Sequence, residues 1–441
     1  MEPLGMSQHR RAFDPPRRNF LKTVGVLGGA VLGSQVPGLG RNSALRTTNS
    51  FSGASSVPYV SAKIGLLAPP SRMYPAFVSS FLAGLKLGFD RFATEGGNVR
   101  IQWVIRETGL SSGELFQSAK KMVEEERVDL TLTLANPAMV PRLIPVFETS
   151  GTCLLVCDAG ANLVRPSERS PHVFHNTLGY WQACYAMGKQ TVQEHGPRVF
   201  ILTSVYETGY DALEAFRLGL KRAGGQEVGL AILDAHNSNN DLVKTLALIE
   251  DLHPDSIYLA QSGPDAQSIL IRSNLYGLLK QAPVVGSPFL AEGSLNGEAA
   301  SAAVGIKSGM SWAHGLANAE NQAFLTSYAS KTGKSADAIG LLGYDTANLV
   351  IAALGAAESR KELIPGALES AKWTGPRGEM SMNALTHTTK VPLYLRQTRK
   401  AQDGVQVVNT GALPSVDEGS PEIQSLMKNP RTGWDNAYLG A

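Results

Sequence analysis

From residue 58 onward two rhythms alternate along the chain. AKIGLLAPP (62–70) is a short apolar run that reads as a strand. Behind it, Phe77, Phe81, Leu85 and Phe89 recur every fourth residue through 74–97, the stripe of a helix that Gly96-Gly97 stops. The pattern then predicts a strand over 99–107, a helix over 111–126 and a strand over 128–136. A helix that Pro137 opens to Thr149 and a strand over 152–157 follow. After a break near 175–182 the rhythm restarts. Strands are predicted at 198–205, 228–235, 255–262 and 282–288, with helices at 210–225, 240–252 and 264–280. Strands alternating with helices of this length argue for parallel sheets, here in two similar α/β lobes in tandem. The remainder adds a strand-like exit at 303–313, helices at 319–332, 336–357 and on to about 371, and a hairpin-like pair, VPLYLRQTR and VQVVNTG. Residues 411–441 are polar and read as a loose tail.

The first 56 residues break this pattern. Arg17-Arg18-Asn19-Phe20-Leu21-Lys22 precedes a glycine-interrupted apolar run, Val24 to Leu32, too short to span a bilayer. A basic segment before a short apolar stretch reads as an export leader. The arginine pair resembles the motif of twin-arginine signals, which implies the twin-arginine export machinery as a partner and a folded periplasmic cargo. No cysteine ends the apolar run, so a lipid anchor is not expected. Ser34–Ser56 reads as a flexible linker.

Composition narrows the classes of partner. Of 40 Lys/Arg and 38 Asp/Glu, seven and two respectively fall in the leader, so the remaining chain is slightly acidic. Neither nucleic acid nor an anionic membrane is favoured. Cys153, Cys157 and Cys184 lack metal-site spacing. Cys153 and Cys157 are too far apart along one strand to bridge; a Cys157–Cys184 disulfide is conceivable, and buried thiols are favoured.

Three stretches carry a family resemblance: AKIGLLAPPS, SYASKTGKSADAIGLLGYDTANLVIAAL (327–354) and WTGPRGEMSMNALTHTTKVPLYLRQ (373–397). In this order, behind an export leader, they resemble the type I periplasmic solute-binding proteins of ABC importers, branched-chain amino acid (Leu/Ile/Val) group, over residues 58–410. The resemblance implies two doubly wound parallel-sheet lobes joined by a three-strand hinge and closing on a ligand. Residues 57–177 with 312–374 form the first lobe and 178–311 with 375–410 the second, with hinge crossings near 175–180, 305–315 and 372–378. It also implies a monomer that binds a small molecule without a cofactor and passes it to an importer permease. A freestanding sensor reporting to a membrane partner is the alternative.

In doubly wound sheets, ligands sit beyond the carboxyl ends of the strands. The first-lobe loops there contain Tyr74, Asn136-Pro137 and Asp158-Ala159-Gly160-Ala161. The last two lack the Ser/Thr hydroxyls usual in the family, and Pro137 removes a backbone donor. Asn136 and the N–H groups of 159–161 are expected to hold the ligand's polar end. Asp158 reads either as an acceptor for an ammonium or as a turn cap. In the second lobe one of Tyr206 and Tyr210 is expected to face the cleft. Ser262 stands where the family carries a cleft tyrosine, and Pro288-Phe289 where it often carries an acid. Glu292 could substitute for that acid, and Trp312 could wall the pocket. The site is therefore expected to be more apolar than that of a leucine binder, suited to an aromatic or weakly polar carboxylate, or an amide. His172 and His175 are spaced as a possible metal pair but read as structural. No hydrolase, zinc-protease, P-loop or dinucleotide motif is present, so catalysis is not expected.

Overall fold

The computed structural model describes residues 59–72, 75–109, 111–135, 137–234, 237–292, 295, 297–401 and 404–426. The leader lies outside them. Strands β1 (Tyr59–Ala68), β2 (Asn98–Glu107), β3 (Leu130–Thr133), β4 (Cys153–Asp158) and β5 (Val173–Thr177) form an all-parallel sheet in the order β2-β1-β3-β4-β5. Every residue of β3, β4 and β5 is buried, because helices cover both faces of a parallel sheet and leave no polar side for alternation. Helix α1 (Pro75–Thr94) turns Phe77, Phe81, Leu85 and Phe89 inward, as its stripe requires. Helix α2 (Ser112–Glu124) starts on a reciprocal cap between Ser111 and Glu114. The helix expected from Pro137 begins instead as a 3-10 turn, Pro137–Arg142, and becomes α3 at Ile144–Ser150. Pro141 within the turn has no N–H for an α-helical bond.

The second sheet has seven strands, in the order 404–413, 393–401, 307–310, 284–286, 256–260, 198–203, 226–232. β6 (Arg198–Thr203), β7 (Gln226–Ile232), β8 (Ser256–Ala260), β9 (Val284–Gly286) and β10 (Lys307–Met310) are parallel. The hairpin β14 (Leu393–Ala401) and β15 (Gly404–Leu413) closes one edge antiparallel. Around it lie α4 (Tyr180–His195), α5 (Asp211–Arg222), α6 (Asn239–Leu252), α7 (Gly263–Leu275) and α8 (Gly297–Ala303). The sequence pattern did not predict α4. Its residues Tyr180 to Gly188 are all buried, so no polar face gives a helical period. It crosses α5 backbone to backbone: a methyl group at Gly188 would stand 2.2 Å from the Phe216 carbonyl oxygen.

After β10 the chain returns to the first sheet through α9 (Ala319–Thr332), α10 (Ala338–Ala356) and α11 (Ile364–Glu369). α10 is long and apolar enough to cross a membrane, but here it is a core helix packed on α1. The third crossing differs from expectation. β11 (Lys372–Gly375), β12 (Gly378–Met382) and β13 (Thr389–Lys390) make a separate small sheet whose Trp373, Met380 and Met382 pack in the first core. The chain enters the second sheet only at Leu393, so this crossing falls near 391–393 and not at 372–378.

The crossings are bonded to one another. Ser311 Oγ donates to the Leu178 carbonyl (2.7 Å), and the Thr177 N–H donates to Thr389 Oγ1 (3.0 Å). The guanidinium of Arg377 is fully buried. It pairs with Asp345 of α10 (2.6 Å) and donates to the Thr177 carbonyl (2.7 Å) and Ser311 Oγ (3.2 Å). Its own carbonyl accepts from Tyr394 Oη of β14 (2.7 Å).

The expected loose tail begins as structure. Gly411–Leu413 complete β15, and a last helix, α12, spans Pro421–Leu426. Between them Glu418 is buried, accepting from Thr388 Oγ1 (2.6 Å) and from the Gln182 amide. The polar composition of 411–426 misled because Glu418 finds its partners inside. The three cysteines are free buried thiols; Cys157 lies against Thr346 and Cys184 against Tyr258.

Candidate ligand-binding site

Of the first-lobe candidates, Tyr74 and Asn136 lie outside the described residues, and of Pro137 only the backbone is described, opening the 3-10 turn. The loop after β4 is well defined. Asp158 is buried and turns back on its own loop, its Oδ2 accepting from the Gly160 N–H (3.1 Å). It thus acts as a turn cap, and the Gly160 N–H is not aimed at a ligand. The carbonyls of Ala159 and Gly160 accept from the N–H groups of Tyr180 and Trp181, the first residues of α4. The loop therefore caps a helix of the second lobe. Farther along, Arg165 forms a two-pronged ion pair with Asp211 at the start of α5 (2.6 and 3.1 Å), while Asn162 accepts from the Asp211 N–H. Ala159, Ala161 and Leu163 consequently pack in the core of the second lobe.

That core brings together several of the expected residues. Tyr210 is buried and Tyr206 half-buried; their rings meet edge to face at 5.3 Å, and Tyr210 Oη donates to Tyr206 Oη (2.8 Å). Phe289 is half-buried, packs against both cores, and meets the Tyr180 ring edge-on at 5.4 Å. It therefore stands where the two lobes meet. Ser262, the residue before α7, is half-buried.

The sequence reading missed the polar centre of this group. Glu207, in the 3-10 turn Glu207–Gly209 after β6, is 4% exposed. It accepts from Tyr180 Oη (3.1 Å) and from Ser262 Oγ. Among the described residues no Lys, Arg or His forms an ion pair with it. Burial pushes its carboxyl above the usual range, against the hydrogen bonds from Ser262 and Tyr180. Burial and the neighbouring Glu207 charge hold the Tyr180 phenol far above its ordinary pKa, so it stays protonated. The available signal was an acidic residue two positions beyond the strand RVFILTSV.

Two other expectations are corrected. Glu292 is not open to an ammonium, because its carboxylate pairs with the buried Arg396. Trp312 does not wall a pocket; it is fully buried, donates to Asn321 Oδ1 (2.8 Å), and packs on Phe324. His175 sits inside β5, its N–H bonded to the His387 carbonyl (2.8 Å). Among the described residues no three His, Cys, Asp or Glu side chains gather as a metal site.

Two doubly wound lobes, crossed three times by the chain and meeting at an aromatic cluster beyond the strand ends, define a two-lobe solute binder. The periplasmic binding protein model matches residues 61–404, and the chain belongs to that family of binders, which are not enzymes. The Leu/Ile/Val-binding protein homolog 6 of Brucella melitensis is 22% identical over 368 residues, covering 80% of this chain and 92% of its own. A solute-binding protein of an ABC transporter from Rhodopseudomonas palustris BisB5, in complex with 3,4-dihydroxybenzoic acid, has a TM-score of 0.70 at 19% identity, covering 82% of this chain and 99% of its own. Another from R. palustris, in complex with benzoate, has a TM-score of 0.68 at 24% identity, covering 81% and 98%. At these identities the structural likeness is one of fold.

Proposed function

We propose that this protein is a monomeric periplasmic receptor that closes its lobes on an aromatic carboxylate and delivers it to an ABC importer. The observation that carries the reading is the cluster of Tyr180, Tyr206 and Phe289 at the lobe boundary, packed with a first-lobe loop, 158–161, that has no hydroxyl. A flat ring fills such a wall. An α-amino acid requires in addition an open carboxylate for its ammonium; Asp158 and Glu292 are engaged elsewhere, and Glu207 lies buried behind the hydroxyls of Tyr180 and Ser262. The benzoate and dihydroxybenzoate carried by the two R. palustris proteins accord with this chemistry. The backbone of Ala159 and Ala161, with Asn136 and Tyr74, would hold the carboxylate end. The moving bodies would be residues 59–177 with 312–390, and 178–311 with 391–413.

Calorimetry on ligand-stripped protein tests the reading. Benzoate or a hydroxybenzoate should bind at least about a hundredfold tighter than leucine, isoleucine or valine, because an unpaired buried charge costs several kcal/mol. Sub-micromolar leucine binding would overturn it. Export by the twin-arginine route is tested separately: replacing Arg17 and Arg18 by lysine should leave folded protein in the cytoplasm, and undiminished periplasmic yield would refute that route.

A further inference from the structure

The polar group set into the aromatic wall has a fixed polarity. A hydroxyl owns one proton and two lone pairs, and an ionised carboxylate only accepts. Ser262 and Tyr180 both give their proton to Glu207. Each hydroxyl is left with lone pairs alone. Tyr180 and Glu207 are 2% and 4% exposed, whereas Ser262 is half-buried beside the wall. With Glu207 ionised, what this group can show a ligand is therefore one oxygen, an acceptor, backed by a buried negative charge that has no basic counter-ion among the described residues.

Resting on the aromatic-carboxylate reading, we infer that Ser262 is a specificity-determining residue that reads a neutral hydroxyl on the ring, with Glu207 as the positioning residue that holds its proton away. The polarity works against three alternatives. A second carboxylate on the ligand would face lone pairs and a like charge. An ether oxygen would face an acceptor with an acceptor. An ammonium carries three donors and full charge, and one hydroxyl oxygen leaves it under-solvated. A neutral O–H supplies the single donor that is missing, and it gains from the charge behind Ser262.

The test is calorimetry with benzoate, 4-hydroxybenzoate, 4-methoxybenzoate and terephthalate on the stripped full chain, alongside S262A, S262T and E207A. A hydrogen bond of this kind is worth at least about tenfold, so the wild type should bind 4-hydroxybenzoate that much tighter than 4-methoxybenzoate, and terephthalate weakest. S262A should collapse the hydroxy-to-methoxy ratio to within about threefold, and S262T should restore it. E207A should also collapse the ratio, since Ser262 then has no acceptor for its proton and can give it to the ligand. A purely structural Glu207 would lower melting temperature and all affinities together without changing the ratio, and that result would overturn the assignment. Benzoate binding with no hydroxyl preference in the wild type would sink this inference alone. Failure of every aromatic acid to bind would sink the aromatic-carboxylate reading and this inference with it.

Discussion

Replacing Glu418 by glutamine should make the protein more stable at alkaline pH, and the gain should vanish in acid. Glu418 is buried between Thr388 and Gln182, and burial pushes its carboxyl up to about 7. The nearby Arg169 offsets this only in part, and Asp417 adds to it. In an unfolded chain the same group titrates near 4.5. Below about pH 4.5 both states hold the proton and the group contributes no pH dependence. Between there and pH 7 the unfolded chain has released the proton while the folded protein keeps it. Each pH unit then removes about 1.4 kcal/mol of stability, up to about 3 kcal/mol in all, and the loss levels off above pH 7. An amide has the shape of the protonated acid and does not titrate. Its NH2 can donate to Gln182 Oε1, which is buried without a partner, once that amide is turned round. Urea unfolding of both proteins from pH 4.5 to 8.5 measures the difference. It should start near zero, rise with pH, and reach a plateau of about 2–3 kcal/mol in favour of the variant. A variant less stable than the wild type at pH 8 would show that Glu418 is an ionised partner of Arg169 and refute the reasoning; so would a difference independent of pH.

Three further outcomes follow from the packing. Asp345→Asn leaves the buried Arg377 charge uncompensated and should cost about 3–5 kcal/mol in urea unfolding; a loss under about 1 kcal/mol would contradict the pairing. Gly343→Ala puts a methyl group 2.0 Å from the Phe81 carbonyl oxygen where α10 crosses α1, and should destabilise by about 1–3 kcal/mol in thermal melts, whereas a neutral effect would mean the helices are not so close. Cys153, Cys157 and Cys184, each buried with its thiol pushed up to about 12, should resist an aromatic disulfide reagent at pH 8 until the protein is unfolded, when all three react; rapid reaction of any one in the native protein would show that its site opens.

Local periodicity made most of the fold legible. The Phe77 to Phe89 stripe, the glycine stop and the runs of β3 and β4 each announce their element, because burial on one face or on both leaves a period or its absence. Helix α4 escaped for the opposite reason: it is buried on nearly all sides between a sheet and α5. The third crossing was misplaced because Gly375-Pro376-Arg377-Gly378 reads as a turn whether or not the chain changes lobe there. The site was legible as a set of loops and not as chemistry. Tyr206 and Tyr210 could be named from their position after a strand, and Phe289 from the family resemblance. Glu207 and Ser262 lie 55 residues apart, and Glu292 and Arg396 lie 104 apart. Only the folded chain shows that one carboxylate organises the wall while the other is already neutralised.

The bonds gathered at Arg377 govern how such a molecule can swing. One guanidinium holds Thr177 on the first crossing and Ser311 on the second, and its backbone carbonyl receives Tyr394 from the strand beyond the third. Any motion that keeps these bonds is a rotation about an axis through that side chain; the three connectors cannot flex independently. Under the proposed closure, its amplitude is a property of the pivot and the choice of ligand a property of the strand-end loops. A scaffold built this way can exchange one solute for another by editing its loops, with no change to the mechanics by which it shuts.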